Sequence, residues 1–224
     1  MKIVSLYYGH RHTKMDTYNT ISTSTEGIYK EKGSKFLSFA IHVNTSDEVK
    51  EWIKKFKKEY YDARHVCYAY MLGADRKEWR ANDDGEPSGT AGRPIMGQIN
   101  SRELTNILVI VVRYFGGVLL GTGGLTTAYK EATADALNQA VIIEKTVDVT
   151  ISINFEYILL NDIMRLIKDT STQILHQSFD NQCSMQLSIR KKEASMLTAK
   201  LEKIIGLVIE KSIVTIKGHN TEIP

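Results

Sequence analysis

Apolar and polar positions alternate along "EGIYKEKGSKFLSFAIHV", residues 26–43, and the alternation breaks at Gly33. That pattern predicts two short strands around a turn, the second burying one face. In "SDEVKEWIKKFKKEYYDA" the period lengthens: Val49, Trp52, Ile53 and Phe56 recur at helical spacing, and Ser46 followed by acids reads as the N-cap. "RHVCYAYMLG" returns to period two, with His65, Cys67, Ala69 and Met71 on one face. The unbroken run Ile107 to Val112 suits a strand buried on both faces, emerging where polarity returns at Arg113. A helix carrying Ala128, Ala132, Ala136 and Ala140 follows, its small residues allowing close approach to a sheet.

Beyond residue 141 the pattern changes. "KTVDVTISINF" alternates, "YILLNDIMRLIKDT" is helical, and "TQILHQSFD" with "CSMQLSIRKK" forms a hairpin-like pair around Asn181. "EASMLTAKLEKII" is amphipathic and "LVIEKSIVTIK" is a last strand. This β-α-β-β-α-β order is the split βαβ, ferredoxin-like signature. The predicted class is α+β with two domains: a polar leader over 1–22, an α/β sandwich over 23–142 and a ferredoxin-like unit over 145–218.

Composition narrows the function classes. The 224 residues are 42% hydrophobic and 25% charged, with a net charge of +3, so composition alone gives no case for nucleic acid. Cys67 and Cys183 form no CxxC or Cys/His zinc pattern, and a reduced cytoplasmic setting is expected. The start "MKIVSLYYGHRHTKM" is too polar for a signal peptide, and no segment approaches the length of a bilayer span. His10 and His12 in this leader read as bland rather than as metal ligands.

Two glycine-rich segments concentrate the candidate chemistry. "NDDGEPSGTAGRPIMGQINSREL" reads as a long ordered loop entering a short helix near Arg93. "VVRYFGGVLLGTGGLTTAYKEAT" packs Gly116, Gly117, Gly121, Gly123 and Gly124 between a strand and a helix. Gly123 and Gly124 are expected to permit close helix packing, whereas Gly116, Gly117 and Gly121 shape a loop beside Arg113 and Tyr114. Gly116 and Gly121 have Walker spacing, but Thr122 and Gly123 stand where Lys and Ser/Thr are required. A dinucleotide fingerprint begun at Gly121 fails at Thr126, and Ser88 lacks the flanking glycines of a nucleophile elbow. Asp83, Asp84 and Glu86 lack calcium-ligand spacing, so a salt link from Asp84 or Glu86 to Arg93 or Arg113 is the simpler reading. Cys67 near His65 has no visible electropositive or orienting partner and is read as a buried cysteine.

Together, "DDGEPSGTAGRP" and "VVRYFGGVLLGTGGLTTAY" strongly resemble the motifs of the IMPACT family and its bacterial YigZ-type branch, and "DARHVCYAY" is similar to the family's third element. The resemblance implies a first domain like those of ribosomal proteins and the fourth domain of the translocating elongation factor, and a second like that factor's fifth domain. It also implies a role in translation, because eukaryotic members are translational regulators. Their additional partner-binding N-terminal domain has no counterpart here, so that particular role is not carried over.

The expected function is that of a non-enzymatic binding protein contacting RNA, the ribosome or a translation-regulatory protein. An enzyme or sensor for a small phosphorylated or anionic ligand is the alternative. No metal or cofactor is expected. The expected contact surface combines His65, Asp84, Glu86 and Thr90 with Arg93, Arg113 and Tyr114, beside Gly116, Gly117, Gly121 and Thr122. Lys54, Lys55 and Lys58 form a second, cationic face, expected to point away from the Trp52 stripe.

Overall fold

The computed structural model describes residues 16–179 and 183–205. Its first unit is a five-stranded antiparallel sheet of β2 (Thr25–Glu31), β3 (Ser34–His42), β4 (His65–Leu72), β5 (Glu78–Asn82) and β6 (Ile107–Tyr114). The order is β2-β3-β6-β4-β5. β6 is central, which is why its apolar run is continuous: it must satisfy a core on each face.

Helix α1 (Ser46–Glu59) covers one face, where Phe39, Ile41, Val66, Tyr68, Ile110 and Val112 pack with Val49 and Phe56. Helices α2 (Gly92–Ser101) and α3 (Gly121–Asn138) cover the other. There Phe36, Cys67, Ala69, Val109 and Val111 meet Ile95, Ile99, Tyr129 and the fully buried alanines 128, 132 and 136. The small stripe brings α3 close enough for Ser38 Oγ to donate to the Ala132 carbonyl at 2.6 Å.

Several local expectations change. The cap of α1 is Thr45, whose Oγ1 accepts from Glu48 N–H at 3.2 Å, so Ser46 is already helical. The end of the leader is ordered: β1 (Thr17–Ile21) pairs antiparallel with β7 (Ile142–Thr146) and buries Ile21. β5 opens with three exposed residues, Glu78, Trp79 and Arg80, and buries none, so a period-two reading passes over this edge strand.

A separate core follows. β8 (Asp148–Phe155), α4 (Leu160–Lys168), β9 (Gln173–Phe179), β10 (Cys183–Arg190) and α5 (Lys191–Ile205) form the order β-α-β-β-α. Their antiparallel sheet runs in the order β8-β10-β9. Ile151, Ile153, Phe155, Leu187, Ile163 and Leu197 belong to this core and none to the first. The expected last strand, the hairpin turn at Asn181 and the His10 and His12 pair lie outside the described residues. Among the described residues no helix is long and apolar enough to cross a membrane.

Candidate functional site

At the edge of the first sheet where β4 begins and β6 ends, the chain opens a cleft of about 1010 Å³. Its wall is built by the segment after α1, the loop after β5, the end of β6 and the first turn of α3. His65, Glu86, Arg113, Tyr114, Gly121 and Thr122 line it, as do Arg64 and Phe115.

The floor is an ion pair. Arg113 Nη1 donates to Glu86 Oε1 at 2.6 Å, with 6% and 3% of the two side chains exposed. Tyr129 Oη donates to the same oxygen at 2.9 Å, and His65 Nε2 lies 3.8 Å away. This corrects the expectation that β6 emerges at Arg113: the strand continues one residue further, and the guanidinium is buried over the rings of Phe36 and Phe115. A buried cation requires a partner, and the acidic loop supplies it across 27 residues. Of Arg113's three nitrogens, Nε is buried without a partner and no described group bonds Nη2.

The acidic loop is organised by a residue that motif reading left in the background. Asp83 Oδ1 accepts the N–H groups of Ala91 and Gly92 at 3.0 and 2.8 Å, and Oδ2 accepts Gly89 N–H at 2.8 Å. It therefore caps α2 from nine residues upstream. Burial pushes its carboxyl upward, but the bonds from Gly89, Gly92 and Ala91, with Arg93 nearby, outweigh burial and hold it below the ordinary aspartate value. Asp84, in the left-handed region at φ 45°, receives Val66 N–H on Oδ2 and Lys57 on Oδ1. Its carbonyl accepts from His65 Nδ1 at 2.7 Å, which fixes the proton on Nδ1 and turns Nε2 toward Glu86. The three acids thus have three different partners instead of converging on a cation.

Other expected site residues stand apart from the cleft. Asp84 serves the loop behind it, and Thr90 is buried with its hydroxyl donating to the Pro87 carbonyl. Arg93 is exposed on the first turn of α2 and forms no salt bridge among the described residues. Lys54, Lys55 and Lys58 are exposed on α1, across the sheet from α3. Lys55 corrects an expectation: its Nζ lies 4.6 Å from the centre of the Trp52 ring, so it leans onto the stripe it was expected to avoid.

The glycines divide differently from the sequence reading. Gly116 is the close approach, because an added Cβ would fall 1.9 Å from Gly33 C, and its N–H donates to Ser34 Oγ. Gly117 and Gly121 have φ of 85° and 70°, which glycine adopts without strain. Gly123 and Gly124 do not mediate helix packing: a Cβ at Gly123 meets nothing within 4 Å, and one at Gly124 meets only Leu120 of the same segment. Gly116 and Gly117 shape the turn behind the cleft and do not line it.

Tyr129, Arg64 and Phe115 were missed by sequence reasoning. Tyr129 sits on the helical stripe and reads as core, since nothing local signals that its hydroxyl meets Glu86. Cys67 Sγ lies 3.0 Å from the Asp83 carbonyl and 3.3 Å from Tyr129 Oη. Burial pushes its thiol well above the usual cysteine range, so it is a structural group rather than a nucleophile.

The Impact N-terminal domain model matches residues 32–137, the span that builds this cleft. The IMPACT family member YvyE of Bacillus subtilis is 30% identical over 81% of this chain and 83% of its own length. YigZ of Escherichia coli is 33% identical over 76% of this chain and 84% of its own. A crystal structure of a hypothetical protein superposes with a TM-score of 0.68 at 28% identity, covering 91% of this chain and 98% of that one. The two-domain translational regulator Yih1 aligns over 55% of this chain and 47% of its own at 24% identity, but its TM-score of 0.34 carries no inference. Matched over most of its length by these bacterial relatives, and carrying the domain that builds the cleft, the chain belongs to the IMPACT family.

Proposed function

We propose that this IMPACT family chain is a non-enzymatic, translation-associated binding protein that contacts RNA, free or in the ribosome, through the glycine-loop cleft. The observation that carries the reading is convergence: the three motif segments, far apart in sequence, meet at one cleft around the Glu86–Arg113 pair. A pair this buried holds the two loops in fixed relation, and what it presents outward is a contact surface. Phe115 and Leu119 are exposed there, Tyr114 offers a second ring, and Arg64 stands exposed at the rim with no salt bridge among the described residues. Aromatic faces beside an uncompensated cation suit unpaired bases and phosphate.

The reading does not include turnover. Glu86 and Arg113 neutralise each other, and the Cys67 thiol is held protonated by burial. The two-module organisation supports the same conclusion. In this reading the first unit is the ribosomal-protein-like module and residues from about 145 are the ferredoxin-like one, both of kinds that handle RNA. The test is co-sedimentation with ribosomal fractions and binding to single-stranded RNA at low salt, with Arg64→Glu as the variant that weakens both. Association of a purified translation protein without RNA would replace RNA as the partner.

A further inference from the structure

We infer that the C-terminal half of α1, with Tyr61 and Arg80, is a second contact surface that holds the phosphate backbone of single-stranded RNA leaving the cleft. The inference rests on the RNA reading of the cleft and assigns the path of the strand beyond it. The charges of α1 are segregated. Asp47, Glu48 and Glu51 lie in its first half, whereas Lys54, Lys55, Lys57 and Lys58 follow with only Phe56 among them. Helical spacing puts Lys54, Lys57 and Lys58 on one face, turned away from the buried Val49 and Phe56. Lys55 leaves that face for the Trp52 ring. Cations in a last turn complement the helix dipole, which accounts for Lys57 and Lys58 but not for Lys54 or for what surrounds the stripe.

Two observations from outside the helix extend the stripe. Arg80, on the edge strand β5, stands in register with Tyr70, which packs into the α1 core, so both share the sheet face that α1 covers. The helix runs alongside that strand. Glu78, at the start of β5, is within electrostatic reach of Lys50, and Asp84, two residues past its end, accepts from Lys57 at 2.6 Å. Lys54 and Arg80 lie between these two points. Both are exposed, as is Lys58, and none of the three side chains has a hydrogen bond or ion pair among the described residues. The second observation is Tyr61. It follows Tyr60, the cap of α1, is 85% exposed, and precedes Asp62, Ala63 and Arg64, which line the cleft. An exposed ring set between cations is a face on which a base stacks. The neighbouring acids are engaged, Asp84 by Lys57 and Asp62 by the Tyr114 hydroxyl. At the far end Lys50 is paired with Asp47 at 2.8 Å and has Glu78 nearby, so the positive surface stops there. The result is a cationic track from Arg64 at the cleft rim to Arg80. A single strand, whose negative charge repeats along its length, is the partner that complements it.

The experiment measures binding of the full chain to oligouridylates of about four and about twelve nucleotides, a span that brackets common single-strand site sizes, across a salt series. Each phosphate contact on a single strand adds about 0.7 to the slope of log affinity against log salt. The longer strand, reaching Lys54, Lys58 and Arg80, is therefore expected to show a slope steeper by about two units. Combining Lys54→Gln, Lys58→Gln and Arg80→Gln should bring that slope down to the shorter strand's value. The shorter strand's affinity and the melting temperature should stay unchanged. Lys54→Gln by itself, at an exposed position where glutamine is a good helix former, should lower the slope by about 0.7 and serves if the triple variant does not fold. Tyr61→Ala should weaken binding of the longer strand without altering its slope, since it removes a stacking face and no charge. Equal slopes for the two lengths, in a chain that binds the shorter one, overturn the track and leave the cleft reading standing. A folded lysine variant that keeps the steep slope overturns it as well. Binding of neither oligonucleotide overturns the cleft reading and the track together.

Discussion

Arg113 on β6 and Glu86 in the loop after β5 share a 2.6 Å ion pair, and together they join the two glycine-rich segments at the floor of the cleft. The pair has a high cost of rupture because each member is almost wholly buried. Removing one partner leaves the other charge in a medium that cannot solvate it, whereas removing both does not. Glu86→Ala or Arg113→Ala is therefore expected to destabilise the chain by about 3–5 kcal/mol in urea unfolding. Replacing both with apolar residues of similar volume should cost less than the sum of the two. Additive losses would contradict the pairing.

Asp83 gives a pH-dependent expectation. Its folded carboxyl titrates below the unfolded value of about 3.9, so its contribution to stability is complete above that value. The contribution is lost as pH falls through the lower, folded value. Asp83→Asn should lower stability at neutral pH by about 1–3 kcal/mol and flatten the decline on acidification. Thermal melts between neutral pH and pH 3 measure this. A variant whose acid limb keeps the parent's slope would show that Asp83 does not carry it.

The glycine assignments separate on substitution. Gly116→Ala would drive its Cβ into Gly33 and should unfold the turn or destabilise the chain severely. Gly123→Ala meets open space and should raise stability by about 1 kcal/mol through helix propensity. Urea midpoints of the two variants should move in opposite directions, and equal losses would remove the distinction.

The two cores share no residue, and the second begins at β8. A fragment spanning Lys145 to Pro224 is therefore expected to melt cooperatively by itself. A non-cooperative melt would mean that the β1–β7 ribbon is part of its fold, since Asp16, just before β1, accepts Val147 N–H on its carbonyl and Lys192 N–H on its carboxylate.

The strands and helices of the first unit are legible in the sequence because burial imposes its period on each: β6 is unbroken since two layers cover it, and the α3 alanines recur since a sheet lies against them. Local pattern fails where the partner is remote. Arg113 looks like the end of a strand until Glu86 arrives from a loop, and Asp83 looks like one of three equivalent acids until the turn at Gly85 and Gly89 folds α2 back onto it. β5 and β1 escape notice for a related reason. Both are short strands, β1 with two buried residues and β5 with none, which gives the pattern too little to repeat.

Salt-dependent association decides the central claim. The chain, incubated with ribosomal fractions at about 50 mM salt, should co-sediment and then release steeply as salt rises, because each phosphate contact returns counterions to solution. Arg64→Glu, at the rim and outside the buried pair, should abolish co-sedimentation while leaving the melting temperature unchanged. Failure of the parent chain to co-sediment at low salt, or co-sedimentation that Arg64→Glu does not weaken, would contradict an RNA-contacting role for this cleft.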